Sequence, residues 1–110
     1  MQSQWQEICE LDDIYPHSGV CAEVNGRQVA IFRLSENSEL RSIENFDPIA
    51  KANILSRGII GERNGKPVVF SPLYKHPYCL DTGVCLEDEG VSVPVYSVKT
   101  LEEKILIRVK

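Results

Sequence analysis

The 110-residue sequence has no cluster of Lys and Arg residues, and its formal net charge is −4. Because nucleic-acid-binding proteins usually carry a basic surface, this charge argues against a nucleic-acid partner. No apolar run approaches membrane-spanning length, and the first ten residues lack the basic and apolar regions of a signal peptide. We therefore expect a cytoplasmic protein with neither a nucleic-acid nor a membrane partner.

Metal-ligating residues are also scarce, since the chain has four Cys and two His. No C-x-x-C pair occurs, and His17 and His76 are far apart in sequence, whereas a structural zinc site needs two closely spaced ligand pairs. We expect no metal site. Reduced cysteines of a cytoplasmic protein pack as small hydrophobic groups. Cys79 and Cys85 flank an expected hairpin and are placed to face each other across it, so their redox state stays open.

What the sequence does contain is mostly β pattern. Asn25-Gly26 and Asn64-Gly65 each separate two strand-like runs, and Asn-Gly is the strongest two-residue hairpin signal. The second run of each hairpin is almost continuously apolar, which is typical of a strand covered on both faces. The runs are 19–24 and 27–34 around the first pair, and 57–62 and 66–70 around the second.

The remaining segments complete an all-β pattern. Proline cannot donate to a strand ladder, so the strand expected around Pro94 should lie at a sheet edge. Many short strands with regular turns in a chain of this length predict one small sandwich-like domain over residues 1–110. The further strands are expected at 5–9, 91–96 and 104–109, and short helical turns at 10–14 and 49–53.

The most specific pattern lies in residues 68–88, VVFSPLYKHPYCLDTGVCLED. It resembles the second cluster-binding loop of a Rieske [2Fe–2S] domain, which enters through C-P-x-H and leaves through an aromatic hairpin ending D-x-x-T-G-x-C-L. The turn at Pro72 and the aromatic Tyr78 are retained. The ligands are replaced, because Ser71 stands at the cysteine position and Tyr74 at the histidine position.

A second segment, ENFDP at 44–48, resembles the first cluster-binding loop, with Asn45 for cysteine and Asp47 for histidine. The resemblance extends over roughly residues 5–109. It implies a Rieske-like antiparallel sandwich of small sheets, with two loops at one end in place of the cluster-binding subdomain.

The four replaced positions decide what the loops bind. A Rieske cluster needs two thiolates and two imidazole nitrogens, whereas Asn45, Asp47, Ser71 and Tyr74 offer hard oxygen donors. We therefore expect these positions to be vestigial, with no cluster and no other metal, and no cysteine is expected near Asn45. Hydrogen bonds should join the loops instead, with Asp47 and Tyr74 forming the bridge. No catalytic residue is expected, since Ser71 lacks a nucleophile-elbow sequence.

Three motifs indicate which subset of the Rieske-like family this chain resembles. N-x-x-P at 45–48, A-N-x-L-S-R-G-I-x-G at 52–61 and S-P-L-Y-K at 71–75 are similar to the small subunits of NAD(P)H-dependent nitrite reductases. The resemblance implies an accessory, non-catalytic subunit, inactive alone, of an enzyme that reduces nitrite to ammonium. Its partner would be a large catalytic subunit carrying FAD, a [4Fe–4S] cluster and sirohaem.

The contact residues expected from this reading lie in the second loop. They are Leu73, Tyr74, Lys75 and His76, because loop tips held by a rigid scaffold commonly carry function. The acidic turn at 87–89 is expected to be solvated, with partner docking as the alternative. A stand-alone Rieske-fold module that binds a protein or a small molecule remains the alternative to the subunit reading.

Overall fold

The computed structural model describes residues 4–109, and its regular structure is almost entirely β-strand. Within this range no helix is long and apolar enough to span a membrane. Two short 3₁₀ helices occur, at Leu11–Asp13 and Leu55–Arg57. The strands are β1 (Gln6–Glu10), β2 (Ser18–Val24), β3 (Arg27–Arg33), β4 (Leu40–Glu44), β5 (Phe46–Asp47), β6 (Ala52–Asn53), β7 (Ile59–Arg63), β8 (Lys66–Phe70), β9 (Pro77–Cys79), β10 (Ser97–Leu101) and β11 (Lys104–Arg108).

These strands form four small antiparallel sheets. Three sheets have three strands each, in the orders β1-β11-β10, β2-β3-β4 and β7-β8-β9, and the fourth pairs β5 with β6. Every strand pairing is antiparallel. The expected all-β sandwich of small sheets is therefore confirmed.

Both Asn-Gly hairpins form as expected. The φ angles are 53° at Asn25 and 81° at Gly26, and 57° at Asn64 and 79° at Gly65. Positive φ at both central residues defines the turn whose twist matches that of the flanking strands. These turns set the registers of β2 with β3 and of β7 with β8, which run without a bulge.

Strand β3 lies between two hydrophobic clusters. Val29 and Ile31 face the cluster formed with the β1-β11-β10 sheet, whereas Ala30 and Phe32 face the cluster formed with the β7-β8-β9 sheet. All four side chains are fully buried. The continuous apolar run of this strand thus reflects burial on both faces, as the sequence predicted.

Two local expectations are wrong. Residues 91–96 form isolated bridges, Ser92 with Val84 and Val95 with Ile43, rather than a regular strand. The backbone of this segment changes partner along its length: the Val93 amide donates a hydrogen bond to the Gly83 carbonyl at 2.9 Å, whereas Val95 pairs with Ile43 of β4. The helical turn expected at 49–53 is replaced by a non-helical turn leading into β6, and the 3₁₀ helix starts two residues later.

Candidate functional site

Two loops meet at the place where the cluster ligands were expected. The first loop, residues 45–58, connects β4 to β7 and contains β5, β6 and the second 3₁₀ helix. The second loop, residues 71–76, connects β8 to β9. The side-chain hydroxyl of Ser71 donates a hydrogen bond to the Asp47 carboxylate, which joins the loops directly.

Asp47 is the centre of this junction. Its carboxylate is fully buried and also accepts hydrogen bonds from the Tyr78 hydroxyl at 2.7 Å and from the amides of Ile49 at 2.9 Å and Ala50 at 3.3 Å. Burial alone would raise the pKa of Asp47, but the bonds from Ser71, Tyr78 and the two amides outweigh it and lower that pKa. The carboxylate is therefore ionised at neutral pH and held by donors from three parts of the chain.

The same bond affects Tyr78. Burial, followed by the hydrogen bond to ionised Asp47, raises the pKa of this phenol above its ordinary value. Tyr78 consequently stays protonated at neutral pH and keeps donating to the carboxylate. The sequence had marked Tyr78 only as a retained aromatic residue, and its place on a buried strand is the signal that would have found it.

The two loops contain matching turns. The amide of Lys51 donates to the Asp47 carbonyl at 2.6 Å, and the amide of Lys75 donates to the Ser71 carbonyl at 2.9 Å. Each turn therefore starts at one of the two residues that the Asp47–Ser71 hydrogen bond joins, and it closes four residues later. Both lysines have positive φ, 59° and 60°. The Asp47–Ser71 contact thus sets the position of both loop tips.

Asn45 fastens the first loop to the β2-β3-β4 sheet. Its side-chain oxygen accepts a hydrogen bond from the Ser56 amide at 2.7 Å, and its side-chain nitrogen lies 3.3 Å from the sulfur of Cys21. The expectation that no cysteine lies near Asn45 is therefore wrong. Cys21 is 24 residues away in sequence, and the pairing of β2 with β3 and of β3 with β4 brings it close.

Tyr74 does not bridge the loops. Its side chain is 60% exposed, and within residues 4–109 its hydroxyl makes no hydrogen bond. The expected bridge between Asp47 and Tyr74 is therefore wrong, and Tyr78 supplies the hydroxyl instead. The reason is geometric, because Tyr74 lies at the tip of a turn whereas Tyr78 lies on a fully buried strand.

Comparison with known proteins supports the resemblance of the whole chain. Residues 4–108 match the family model of the Rieske-like [2Fe–2S] domain. The chain belongs to this family. The Rieske-like chain is 45% identical over 106 residues to a nitrite reductase (NADH) small subunit of Salmonella typhimurium, covering 96% of this chain and 98% of the relative.

Two further relatives are informative. The NMR structure of the Escherichia coli protein NirD superimposes with a TM-score of 0.91 at 42% identity, covering 98% of both chains. A nitrite reductase [NAD(P)H] large subunit of Klebsiella oxytoca is 36% identical over 103 residues, which are 94% of this chain but 11% of that protein. A Rieske-like segment of this kind therefore also occurs within a much longer polypeptide.

The residues at the four ligand positions do not fit the cluster after which the family is described. Asn45, Asp47 and Ser71 are buried and bonded to protein groups, and Tyr74 is exposed. All four are oxygen or amide donors, which suit a soft iron–sulfur core poorly. No group of three or more His, Cys, Asp or Glu in the described part of the chain is arranged to hold a metal ion.

Cys79 and Cys85 are free and buried. Tyr78 pairs with Cys85 in an antiparallel bridge, and the Cys79 amide bonds the Val84 carbonyl at 2.9 Å. Successive side chains alternate between sheet faces, so this register places the two cysteines on opposite faces. The expectation that they face each other is wrong.

The loop end also carries exposed apolar groups. Four of the seven large apolar side chains that are exposed in residues 4–109, namely Phe46, Ile59, Leu73 and Tyr74, lie in the two loops or directly after the first. Such a concentration at one end of a small domain is typical of a contact surface. Of the expected contact residues, Leu73, Tyr74 and Lys75 are exposed and His76 is half-buried.

His76 of the second loop faces the acidic turn at 87–89. Its Nδ1 atom lies 3.6 Å from Glu87, whose other carboxylate oxygen lies 3.6 Å from Arg63. All three residues of the turn are exposed, as expected for a solvated turn. The guanidinium of Arg63 thus pairs with one side of this turn, whereas the His76 Nδ1 atom is buried without a hydrogen-bond partner in residues 4–109.

A cavity of about 270 Å³ opens between the loops and the β7-β8 pair. Gly58 allows the first loop to approach β8, because a Cβ there would press on the Phe70 carbonyl and on Val69. No sequence pattern predicts this cavity, because it depends on the close approach of distant segments. The lining residues are Arg57, Gly58, Ile59, Phe70, Ser71, Pro72 and Lys75.

Proposed function

We propose that this chain is the accessory small subunit of a cytoplasmic NADH-dependent nitrite reductase, which reduces nitrite to ammonium. It acts as one domain over residues 1–110 and has no redox centre of its own. The observation that carries the proposal is a Rieske scaffold in which a buried Asp47–Ser71–Tyr78 network occupies the cluster end. The 45% identity to a nitrite reductase (NADH) small subunit over nearly the whole chain supports the assignment of the complex.

The partner in this proposal is a large catalytic subunit that carries FAD, a [4Fe–4S] cluster and sirohaem. Such cofactors perform the hydride and electron transfers, and protein groups around them supply binding and orientation. The Klebsiella oxytoca relative, in which a similar segment is 11% of a large subunit, supports a ratio of one small to one large subunit. A domain within the same polypeptide is necessarily present once per catalytic unit.

This chain contributes no catalytic group in the proposal. The Ser71 hydroxyl is buried and donates a hydrogen bond to the ionised Asp47 carboxylate. An ionised carboxylate that is already bonded to four donors is not free to act as a base toward a substrate. The isolated chain is therefore expected to be inactive toward nitrite.

The contact with the large subunit is assigned to the exposed end of the second loop. Leu73 is the apolar anchor, with Lys75 as its charged neighbour and with Tyr74 and His76 beside it. An apolar anchor surrounded by polar groups is a common arrangement of binding hot spots. Through this contact the chain would stabilise, position or regulate the large subunit.

The experiment is co-expression of the large subunit with and without this chain, followed by co-purification and assay of NADH-dependent ammonium formation. We expect the isolated chain to be colourless and free of stoichiometric iron and sulfide. Leu73→Asp should reduce co-purification and activity while the isolated variant stays folded. Leu101→Asp is the matched control, because Leu101 is 60% exposed, like Leu73 at 58%, but lies in the β10-β11 hairpin.

The outcomes separate the alternatives. Visible absorption of a [2Fe–2S] centre with iron and sulfide would overturn the absence of a redox centre. A parent chain that neither co-purifies with the large subunit nor affects its activity would favour the stand-alone binding module. Equal losses in Leu73→Asp and Leu101→Asp would move the contact surface away from the second loop.

A further inference from the structure

The two loops differ in charge from the rest of the chain. Residues 45–58 and 71–76 contain Lys51, Arg57, Lys75 and one carboxylate, Asp47, so their formal charge is +2. Since the whole chain carries −4, the remaining residues carry −6. Asp47 is fully buried, whereas the three cations are exposed. The surface charge of the loop end is therefore positive on an otherwise acidic domain.

These three cations form no ion pair with any residue in the described part of the chain. No carboxylate in residues 4–109 lies within 4.0 Å of Lys51, Arg57 or Lys75. Elsewhere in the described chain, ion pairs engage five of the eight basic side chains, namely Arg27, Arg33, Arg41, Arg63 and Lys104. The domain thus neutralises most of its other cations internally but leaves those of the loop end unpaired.

The backbone adds a second argument. Lys51 and Lys75 both have positive φ, in the left-handed region that glycine and asparagine adopt at lower cost. A non-glycine residue there costs roughly 1 kcal/mol. Each lysine closes a turn that needs only its amide, bonded to the carbonyl of Asp47 or Ser71. The turns therefore do not require lysine, and both side-chain amines are left exposed to contact a partner.

The third observation is the cavity between the loops. Arg57 and Lys75 line it from opposite loops, and Ile59 and Pro72 supply apolar walls. Because the walls are partly enclosed and apolar, the local dielectric constant is lower than in water, and the two cations attract an anion more strongly. Its volume of about 270 Å³ is large enough to admit a carboxylate side chain of a partner protein.

We propose that Lys51, Arg57 and Lys75 form a carboxylate-binding surface for Asp and Glu side chains of the large subunit. One of these carboxylates occupies the cavity between Arg57 and Lys75. The inference rests on the proposed function, since it takes the large subunit as the partner, and it adds the chemistry that this partner must present. Complementary charges also steer encounter, so association should slow as salt rises.

Carbodiimide cross-linking of the reconstituted complex tests the contact. This reagent couples a lysine amine to a carboxylate that touches it and does not couple a guanidinium. Mass spectrometry should find Lys75 or Lys51 joined to Asp or Glu of the large subunit, and Lys66 not joined. Lys75→Arg should remove the Lys75 product while binding persists, because the charge remains.

Association kinetics provide the second readout. Lys51→Asn/Lys75→Asn removes two charges at sites where asparagine accepts positive φ, so the fold should be kept. We expect its association rate constant to fall by about three- to tenfold and its salt dependence to weaken. Lys66→Asn/Lys99→Asn removes the same charge from two cations outside the loops, for which no carboxylate of residues 4–109 lies within 4.0 Å, and should associate nearly as the parent does.

Each result decides between explanations. Cross-links confined to Lys66 or Lys99, or equal rate constants for the two double variants, would overturn the carboxylate surface while leaving the proposed complex intact. A parent chain that does not bind the large subunit at all would overturn both proposals. Binding that is lost in Leu73→Asp but unchanged in Lys51→Asn/Lys75→Asn would assign the contact to apolar groups alone.

Discussion

Replacing Tyr78 with phenylalanine tests whether the buried carboxylate joins the two loops. The change removes one hydroxyl and keeps the ring in the core. That hydroxyl donates to Asp47 at 2.7 Å, and both side chains are fully buried. No cation in the described residues pairs with this carboxylate. Its charge is therefore stabilised by four hydrogen bonds, and Tyr78→Phe removes one of them.

The expected loss follows from the charge on the acceptor. A hydrogen bond to a charged group contributes about 1.5–3 kcal/mol, roughly twice the value of a neutral one. We therefore expect Tyr78→Phe to lower the free energy of unfolding by about 2 kcal/mol at neutral pH. With a urea m-value of about 1–3 kcal/mol/M for a small protein, the midpoint should fall by roughly 0.7–2 M.

Tyr74→Phe is the matched control for this measurement. It removes the same hydroxyl from the second loop, but Tyr74 is exposed and its hydroxyl is unbonded within the described residues. Surface changes of this kind usually alter stability by less than about 0.5 kcal/mol. Urea unfolding of the parent and both variants, followed by far-ultraviolet circular dichroism, gives the comparison. A Tyr78→Phe midpoint equal to that of the parent or of Tyr74→Phe would refute the role of the carboxylate network.

Three further predictions concern stability. The lowered pKa of Asp47 means that its ionised carboxylate contributes fully to folding stability above the unfolded pKa of about 3.9. This contribution is lost as pH falls through the folded pKa, so urea midpoints should drop on acidification below about pH 4. Gly83→Ala should cost more than about 1 kcal/mol, because φ is +81° and the added Cβ would overlap the Val93 carbonyl oxygen. Gly90→Ala, whose Cβ would make only an ordinary contact of 3.5 Å with the Asp88 side chain, is the thermal-unfolding control. Arg33→Lys should cost about 2 kcal/mol in urea unfolding, because the buried guanidinium donates to four backbone carbonyls that one ammonium cannot reach together; an unchanged midpoint would contradict this.

The features that the sequence predicted correctly are local or are encoded by burial along one strand. Each Asn-Gly pair specifies its hairpin through the φ angles of two adjacent residues. The run at 29–32 indicates burial on both faces because the alternation of polar residues is absent. The resemblance of the two loop motifs pointed to Asn45, Asp47 and Ser71, and Ser71 directly follows the strand expected at 66–70.

The features that it missed depend on segments brought together from a distance. Tyr74 and Tyr78 are four residues apart, and only the register of β9 on β8 puts the second on Asp47. The side chain of Arg33 was not expected in the core, and its partners are carbonyls at residues 11, 14, 36 and 37. Pattern reasoning identifies side-chain types and faces, but it does not give the backbone atoms that a long polar side chain will meet.

The loop end can be understood from what a cluster does in this fold. A cluster bound by four ligands joins the two loops by bonds to one central group. Here Asp47 is that central group, since donors from the second loop, from β9 and from its own loop all end on one carboxylate. The amides of Lys51 and Lys75 then bond the carbonyls of the two joined residues. A junction of this kind fixes the loop tips without redox chemistry, so the groups left for a partner are the exposed charges and apolar side chains that it positions.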